Sequence, residues 1–359
     1  MKKIFVLSAL FVFCAVGFAQ GKYTIQQYLN IISASSPSFS PDGKRLIYLT
    51  NVSGTSQIWA IELPNGQPKQ LTKYDDNISF AQFSPTGSEI VFGKAVGGNE
   101  NTQIFLMKAD GSGVRELMAN PTVRYNFGDW SDDGKRIYYA SNKRDKTFFD
   151  VYSMDAASGK ETLIYQQDGN NDFAAVSKNG KQIIVSRGGI EKSLDNNLYL
   201  IDAETRKETL LTAHTDASQF GDVEFLPDGD SIVLATNKDR EYSSMAQIDN
   251  LRESGANQIV IGRNAPDWDV EGIKVSPKGD ALAYTVNRDG FSELNLRKIE
   301  VNGKPLISTI DPKSETVKLP AQGIVGGVRF SSDGGKLAFS FSSAKYNSDV
   351  WVYDLKSKV

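Results

Sequence analysis

A five-residue turn recurs seven times along this chain, each time at the same place in a pattern of short strands. It first reads Ser40-Pro41-Asp42-Gly43-Lys44, and its glycines stand at positions 43, 87, 134, 180, 229, 279 and 334. Proline presets φ for the turn, and glycine supplies the positive φ that a tight hairpin requires. A repeat of 44 to 55 residues built from short strands is the pattern of propeller blades. One such unit cannot bury both faces of its sheet. Stacked in a ring, each unit covers its neighbour.

The first repeat spells out a blade, with strands predicted over 37–40, 45–50, 58–63 and 69–72. Third strands are predicted over 104–108, 151–155, 198–202 and 350–354, and fourth strands over 114–118, 161–165 and 208–212. Blade five is the least regular, and its third strand falls somewhere in 240–254. Blade six has its third strand over 293–299, followed by a long loop over 311–322. The expected fold is therefore all-β: a seven-bladed propeller of four-stranded antiparallel blades, with a short N-terminal helix after a signal peptide. The segments divide as 1–19 leader, 20–36 N-terminal segment with the helix, and 37–359 propeller. Thr24 and Gln27 form a capping box for that helix. The aliphatic and aromatic strand positions read as packing between blades, and so do Trp59, Trp130, Trp268 and Trp351.

Residues 1–19 carry the leader pattern, with Lys2-Lys3, an apolar run over 4–16 and a Gly17-Phe18-Ala19 cleavage site. The apolar run is too short for a comfortable membrane span. Cys14 is the only cysteine and lies inside the leader, so the mature chain has no thiol or disulfide chemistry. An exported, cysteine-free chain fits the periplasm or exterior of a bacterium. Without Lys2 and Lys3, 38 basic residues face 43 acidic ones. Basic runs such as Lys143-Arg144-Asp145-Lys146 are interrupted by acids, which argues against nucleic acid as a partner.

Catalytic signals are sparse. His214 is the only histidine and falls in a loop between blades, where it reads as solvent-exposed. There is no Gly-x-Ser-x-Gly elbow, and zinc held by His and Cys is excluded by the count. The turn carboxylates Asp42, Asp133, Asp228 and Asp333 read as local backbone caps. The acidic stretches 75–77 and 168–172 read as plain turns ahead of calcium loops. No cofactor or metal is expected.

These turns resemble the Pro-Asp repeat shared by TolB-like propellers and the N-terminal propellers of the prolyl oligopeptidase family. More specific phrases favour the peptidases: Tyr23 to Leu29 leading into Pro37 to Lys44, Gly97-Gly98-Asn99-Glu100-Asn101-Thr102-Gln103, and the stretches from Ser141 to Tyr152 and Phe225 to Glu241. Lys94 departs from the common form, at a place often acidic. Seven blades also suit the peptidases better than the six-bladed TolB propeller.

The resemblance implies a propeller that lies over an α/β-hydrolase domain and gates oligopeptides, with Ser, Asp and His supplied by that second domain. This chain holds no such triad. After 350–354 a fourth strand is due. Either residues 22–36 supply it, or the sequence is a piece cut at the propeller–hydrolase junction, which is the preferred expectation. On this reading Glu100 is the candidate carboxylate for a peptide amine, and Arg144 and Arg240 are candidate carbonyl contacts. The plainer alternative for all three is an ordinary solvated loop charge. The rival readings are a stand-alone TolB-like scaffold for envelope proteins and a propeller enzyme with acids converging in its channel.

Overall fold

The computed structural model describes residues 23–189, 194–252, 259–261, 267–299 and 314–359. The leader-like residues 1–19, with Cys14, lie outside the described residues. The chain divides into an N-terminal unit ending at Ile31 and a second unit, Ile32–Val359. In the first, the helix Ile25–Leu29 begins at the expected capping box. The Thr24 hydroxyl accepts the Gln27 N–H at 3.2 Å and the Gln27 side chain accepts the Thr24 N–H at 2.7 Å.

The second unit is a seven-bladed propeller. Among the described residues six sheets have four strands and the seventh has three. Strand order follows chain order, so each blade is an antiparallel meander with its first strand innermost. Blade one comprises Ala34–Phe39, Arg45–Thr50, Gln57–Glu62 and Lys69–Gln70. Third strands occupy Gln103–Lys108, Phe148–Asp155, Asn196–Asp202 and Asp349–Asp354, each starting one to three residues before the predicted position. The irregular fifth blade has its third strand at Ser244–Ile248, all five residues buried.

The turns are held by a serine hydroxyl as much as by Pro-Asp-Gly. Ser40 Oγ donates to Asp42 Oδ1 at 2.6 Å and accepts the Arg45 N–H at 3.0 Å, while Asp42 also accepts the Lys44 N–H at 3.1 Å. The same knot joins Ser131 to Asp133, Ser177 to Asn179 and Ser331 to Asp333. In blade six Ser276 uses Asp280 instead, and in blade five, where Leu226 replaces serine, Ser231 donates to Asp228 from the far side of the turn. Asp42, Asp133, Asp228 and Asp333 are thus backbone caps, as read from the sequence. The serine hydroxyl, and after it a backbone N–H, hold Asp42, Asp133 and Asp333 below the usual carboxylate range.

The core lies in the seams between blades. Ile47, Leu49, Ile58 and Ala60 of blade one pack on Ile90, Phe92, Phe105 and Met107 of blade two. Seams are also stitched by a recurring bond from the start of an inner strand to the carbonyl just before the preceding blade's third strand. It runs from Ile78 to Ser56 at 2.9 Å, from Tyr125 to Thr102 at 3.1 Å and from Val270 to Ser243 at 3.0 Å. Blade one meets blade seven through the same bond, from Ala34 to Ser348 at 2.8 Å, and through Phe39 and Leu46 against Ala338. Ala34–Phe39 pairs with Arg45–Thr50, so it is the inner strand of blade one and not a closing strand for blade seven.

Ser331 is 1% exposed, and its hydroxyl both donates and accepts within its turn. Ser331→Ala leaves the Lys336 N–H without its partner, and the expected loss of stability is about 1–3 kcal/mol in a urea titration. Pro41→Ala, which removes no hydrogen bond, is expected to change it by less than ~1 kcal/mol.

Candidate functional site

A meander places its loops in two sets. The first-to-second and third-to-fourth turns lie on one face of the propeller. The second-to-third loops and the connections between blades lie on the other. Glu100, Arg144 and Arg240 all fall in or beside second-to-third loops, of blades two, three and five, so they share the face opposite the repeated turns.

Their surroundings differ. Glu100 is exposed and has no ion pair among the described residues. Arg144 is engaged: its guanidinium meets Asp150 through two bonds, at 2.7 and 3.0 Å, and Asp168 at 3.0 Å. Asp150 is fully buried, so the fork fixes the blade-three hairpin to the connection toward blade four and is already occupied as a carbonyl donor. Arg240 is half-buried, with its backbone N–H on the Asn237 carbonyl at 2.9 Å.

His214 corrects an expectation. Its side chain is 6% exposed, not solvated, with Nε2 2.9 Å from Asp195 Oδ1 and Nδ1 2.6 Å from the Thr212 carbonyl oxygen. Both ring nitrogens thus lie within hydrogen-bond distance of oxygen atoms. The partner Asp195 also takes the Ser218 N–H at 2.9 Å, so the pair ties a blade-four loop to the connection into blade five. Its role is structural.

The residues that sequence reasoning did not single out are on the inner strands. Aligned on the turn serine, the position two before it carries Ser38, Gln82, Asp129, Ala175, Glu224, Lys274 and Arg329. Neighbouring blades are linked here, by Gln82 Nε2 to Asp129 Oδ1 at 2.9 Å and by an ion pair between Lys274 and Glu224. Arg329 is exposed, and among the described residues it has no carboxylate partner. Its guanidinium donates to the Val328 carbonyl at 3.3 Å.

Five positions before the serine lies a second polar belt, nearer the face that carries Glu100, Arg144 and Arg240. It includes Ser79, Asn126, Asp172 and Glu271, with Arg124 donating to Asn126 at 3.1 Å. Asp172 is open to solvent yet enclosed by protein on the inner wall. Desolvation pushes its carboxyl up to about 6, against the opposing effects of the Phe173 N–H and the Arg124 charge.

Between the belts the wall is two-sided. Blades two, three and four place Phe80, Phe127 and Phe173 there, with Phe80 and Phe127 stacked at 4.9 Å. Gly93 and Gly128 make room, since a Cβ on either would come within 2.4 Å of a phenylalanine ring. Blades one, five, six and seven place Ser36, Asp222, Gly272 and Gly327 at that level, all with φ between +49° and +63°. Each lies in a register break of its inner strand, and Asp222 Oδ2 accepts the Gly272 N–H at 2.8 Å. The signal for this was present as a column of phenylalanines and small residues, legible once the strands are aligned on the serine.

Chemically the wall can bind a chain that offers both apolar side chains and backbone amides. Among the described residues no three His, Cys, Asp or Glu side chains converge as a metal site would require. The acidic stretches 75–77 and 168–172 are used in turns: Asp76 accepts the Gly97 N–H at 2.9 Å, Asn77 accepts the Ser56 N–H at 2.8 Å, and Asp168 pairs with Arg144.

A family model described as the TolB β-propeller domain matches residues 20–193. The fold is a β-propeller, and its turns are similar to those of TolB. It is distantly related both to TolB and to the propellers of prolyl oligopeptidase relatives. The Tol-Pal system protein TolB of Francisella tularensis is 20% identical over 290 residues, covering 80% of this chain and 53% of TolB. Dipeptidyl-peptidase 5 of Porphyromonas gingivalis is 26% identical over 195 residues, covering 50% of this chain and 27% of the peptidase. The chain thus spans about half, or less, of the length of these curated relatives. Among solved structures a prolyl endopeptidase superposes with a TM-score of 0.68 at 15% identity, covering 92% of this chain and 49% of the other. An oligogalacturonate lyase in complex with manganese also gives 0.68, at 13% identity, covering 91% and 92%. At these identities the likeness is one of fold. No helix among the described residues is long and apolar enough to cross a membrane.

A carboxyl held protonated in the fold but ionised in the unfolded chain weakens stability as pH rises between the two pKa values. For Asp172 that window runs from 3.8, its unperturbed value, to about 6. Asp172→Asn is expected to raise the thermal midpoint at pH 7.5 and to leave it nearly unchanged at pH 3.5, as read by circular dichroism melts.

Proposed function

We propose that this propeller gates substrate for an exported serine peptidase that acts on oligopeptides, with catalysis supplied by an α/β-hydrolase domain outside this sequence. The observation that carries the reading is the inner wall, which sets two polar belts around a level that is aromatic on three blades and left-handed in backbone on four. An extended oligopeptide has matching chemistry. Its apolar side chains pack on Phe80, Phe127 and Phe173, its carbonyls accept from Arg329, and its amines meet Asp172 and Glu100. A folded protein hides most of its backbone amides in its own hydrogen bonds and cannot present them to such a wall. Export rests on the leader-like residues 1–19, and the kinship with TolB points the same way, toward the periplasm.

The gating reading is favoured by the kinship with dipeptidyl-peptidase 5 and the fold shared with a prolyl endopeptidase. A second reading, a scaffold for envelope proteins, is favoured by the longer match to TolB, 80% of the chain against 50%. Calorimetry separates them. Unstructured peptides of about six to ten residues are expected to bind in the high micromolar to millimolar range, near 4–5 kcal/mol. Arg329→Ala is expected to weaken them about three- to tenfold. Binding of a free peptide amine is expected to strengthen from pH 5 to pH 7 as Asp172 ionises. Peptides that do not bind, alongside a folded envelope protein that does, would favour the scaffold. The chain alone is expected to resist labelling by an active-site phosphonate, and labelling would contradict the assignment of catalysis to a second domain.

A further inference from the structure

Near the repeated turns, arginine closes the first two seams between blades. In blade one Arg45 reaches Glu62 across its own sheet and donates to the Ala109 carbonyl of blade two at 3.2 Å. In blade two Arg115 reaches Glu89 and donates to the Ala156 carbonyl of blade three at 2.6 Å. Ala109, Ala156 and Ala203 hold equivalent places. Each donates its own N–H to the carbonyl just before its blade's second strand, at 3.1, 2.8 and 2.9 Å.

The seam of blades three and four breaks this pattern. Arg136 is the counterpart of Arg45, since it pairs in register with Asp155 as Arg45 does with Glu62. Asp155 is one methylene shorter than a glutamate, and its carboxylate is spent on the Ser158 N–H and hydroxyl at 2.8 and 2.7 Å. Among the described residues Arg136 makes no ion pair, and no arginine donates to the Ala203 carbonyl. The seam stays open as a cavity of about 310 Å³, bordered by Arg136, Tyr138, Ser153, Lys181, Ala203 and Arg206.

Tyr138 is 3% exposed and Ser153 1%, and they are cross-strand neighbours. Both border the cavity, and among the described residues neither hydroxyl has a hydrogen-bond partner. Buried hydroxyls are nearly always paired, so these two call for a group from outside the chain. Stacking on Phe173 at 5.2 Å fixes the Tyr138 ring. Burial pushes its hydroxyl above the usual range and Asp133 adds to the push, while the Arg136 and Arg206 charges pull it back. Two guanidinium groups thus bear on one buried hydroxyl. Arg206 has φ +63° where the matching turn of blade three has Gly159 at +71°, so a cation occupies a backbone position that favours glycine. Neither Arg206 nor Lys181 makes an ion pair among the described residues. Of the two carboxylates in the lining, Asp202 is engaged by the Thr205 and Glu204 N–H groups at 2.7 and 3.1 Å. Only Glu204, on the exposed rim, opposes the three cations.

We propose that this cavity binds a phosphate group, free or carried by a small monoester. Donors approach it from three directions: the blade-three strand with Arg136 and Tyr138, the repeated turn of blade four with Lys181, and the outer turn of blade four with Arg206. That arrangement suits a tetrahedral oxyanion better than a flat carboxylate, which two parallel donors satisfy. Bound there, the anion joins blades three and four as Arg45 and Arg115 join the earlier pairs. The site lies on the turn face and is independent of any ligand in the channel.

Isothermal titration of the full chain at fixed ionic strength, with inorganic phosphate, glycerol 3-phosphate and acetate, tests the proposal. Both phosphates are expected to bind saturably, and acetate about tenfold more weakly or not at all. Arg136→Gln is expected to weaken phosphate binding about tenfold, and Tyr138→Phe about three- to tenfold without lowering the thermal midpoint of the phosphate-free chain. Glu204→Gln is expected to tighten it, and Arg45→Gln, in a seam already closed, to leave it unchanged. Either order of the two phosphates supports the site: tighter glycerol 3-phosphate identifies a monoester as the ligand, and tighter inorganic phosphate the free ion. No saturation by either phosphate, acetate binding as tightly as phosphate, or full affinity in Arg136→Gln would overturn the proposal.

Discussion

The serine hydroxyl buried at the base of each inner hairpin is the interaction on which the rest of the propeller depends. It closes the turn by taking a backbone N–H five residues on and, in most blades, by donating to a carboxylate or amide two residues on. That fixes the direction in which the second strand leaves the first, and hence the tilt of each blade. In blade five, where Leu226 replaces the usual serine, Asp228 closes the turn instead by accepting both the Ser231 N–H and its hydroxyl.

From that fixed base the inner strands diverge. Blades two to four keep phenylalanine at the middle level, supported by glycines that clear space for the rings. The other four blades take a left-handed residue there. The channel wall is therefore unequal around its circumference while the turns below it stay alike. Charge follows the same logic: Asp129 and Glu224 are engaged by neighbouring blades, whereas Asp172 and Arg329 remain available to a ligand.

The blade count and most strands were legible in the sequence because Ser-x-Asp-Gly turns and β-branched runs are local signals. Blade five blurred because its third strand, Ser244–Ile248, is buried on both faces and so lacks polar alternation. The channel wall was not legible, because register breaks in the inner strands destroy the period-two pattern that would announce it. Nor was the burial of His214, whose partner Asp195 lies 19 residues upstream and meets it only in the folded ring. Arg144 looked available for a ligand because the sequence gives no sign that Asp150 and Asp168 converge on it.

The central claim is that the inner wall, and not the turns, receives an extended peptide. Because the one native cysteine is Cys14, single cysteines can report on the propeller directly. Ser79→Cys places a thiol on the inner wall, and Ser158→Cys places one on an exposed outer turn of blade three. Maleimide modification is then timed with and without a saturating unstructured oligopeptide. The account predicts that the peptide slows reaction at position 79 and leaves position 158 unchanged. Equal rates at position 79 with and without peptide would contradict it.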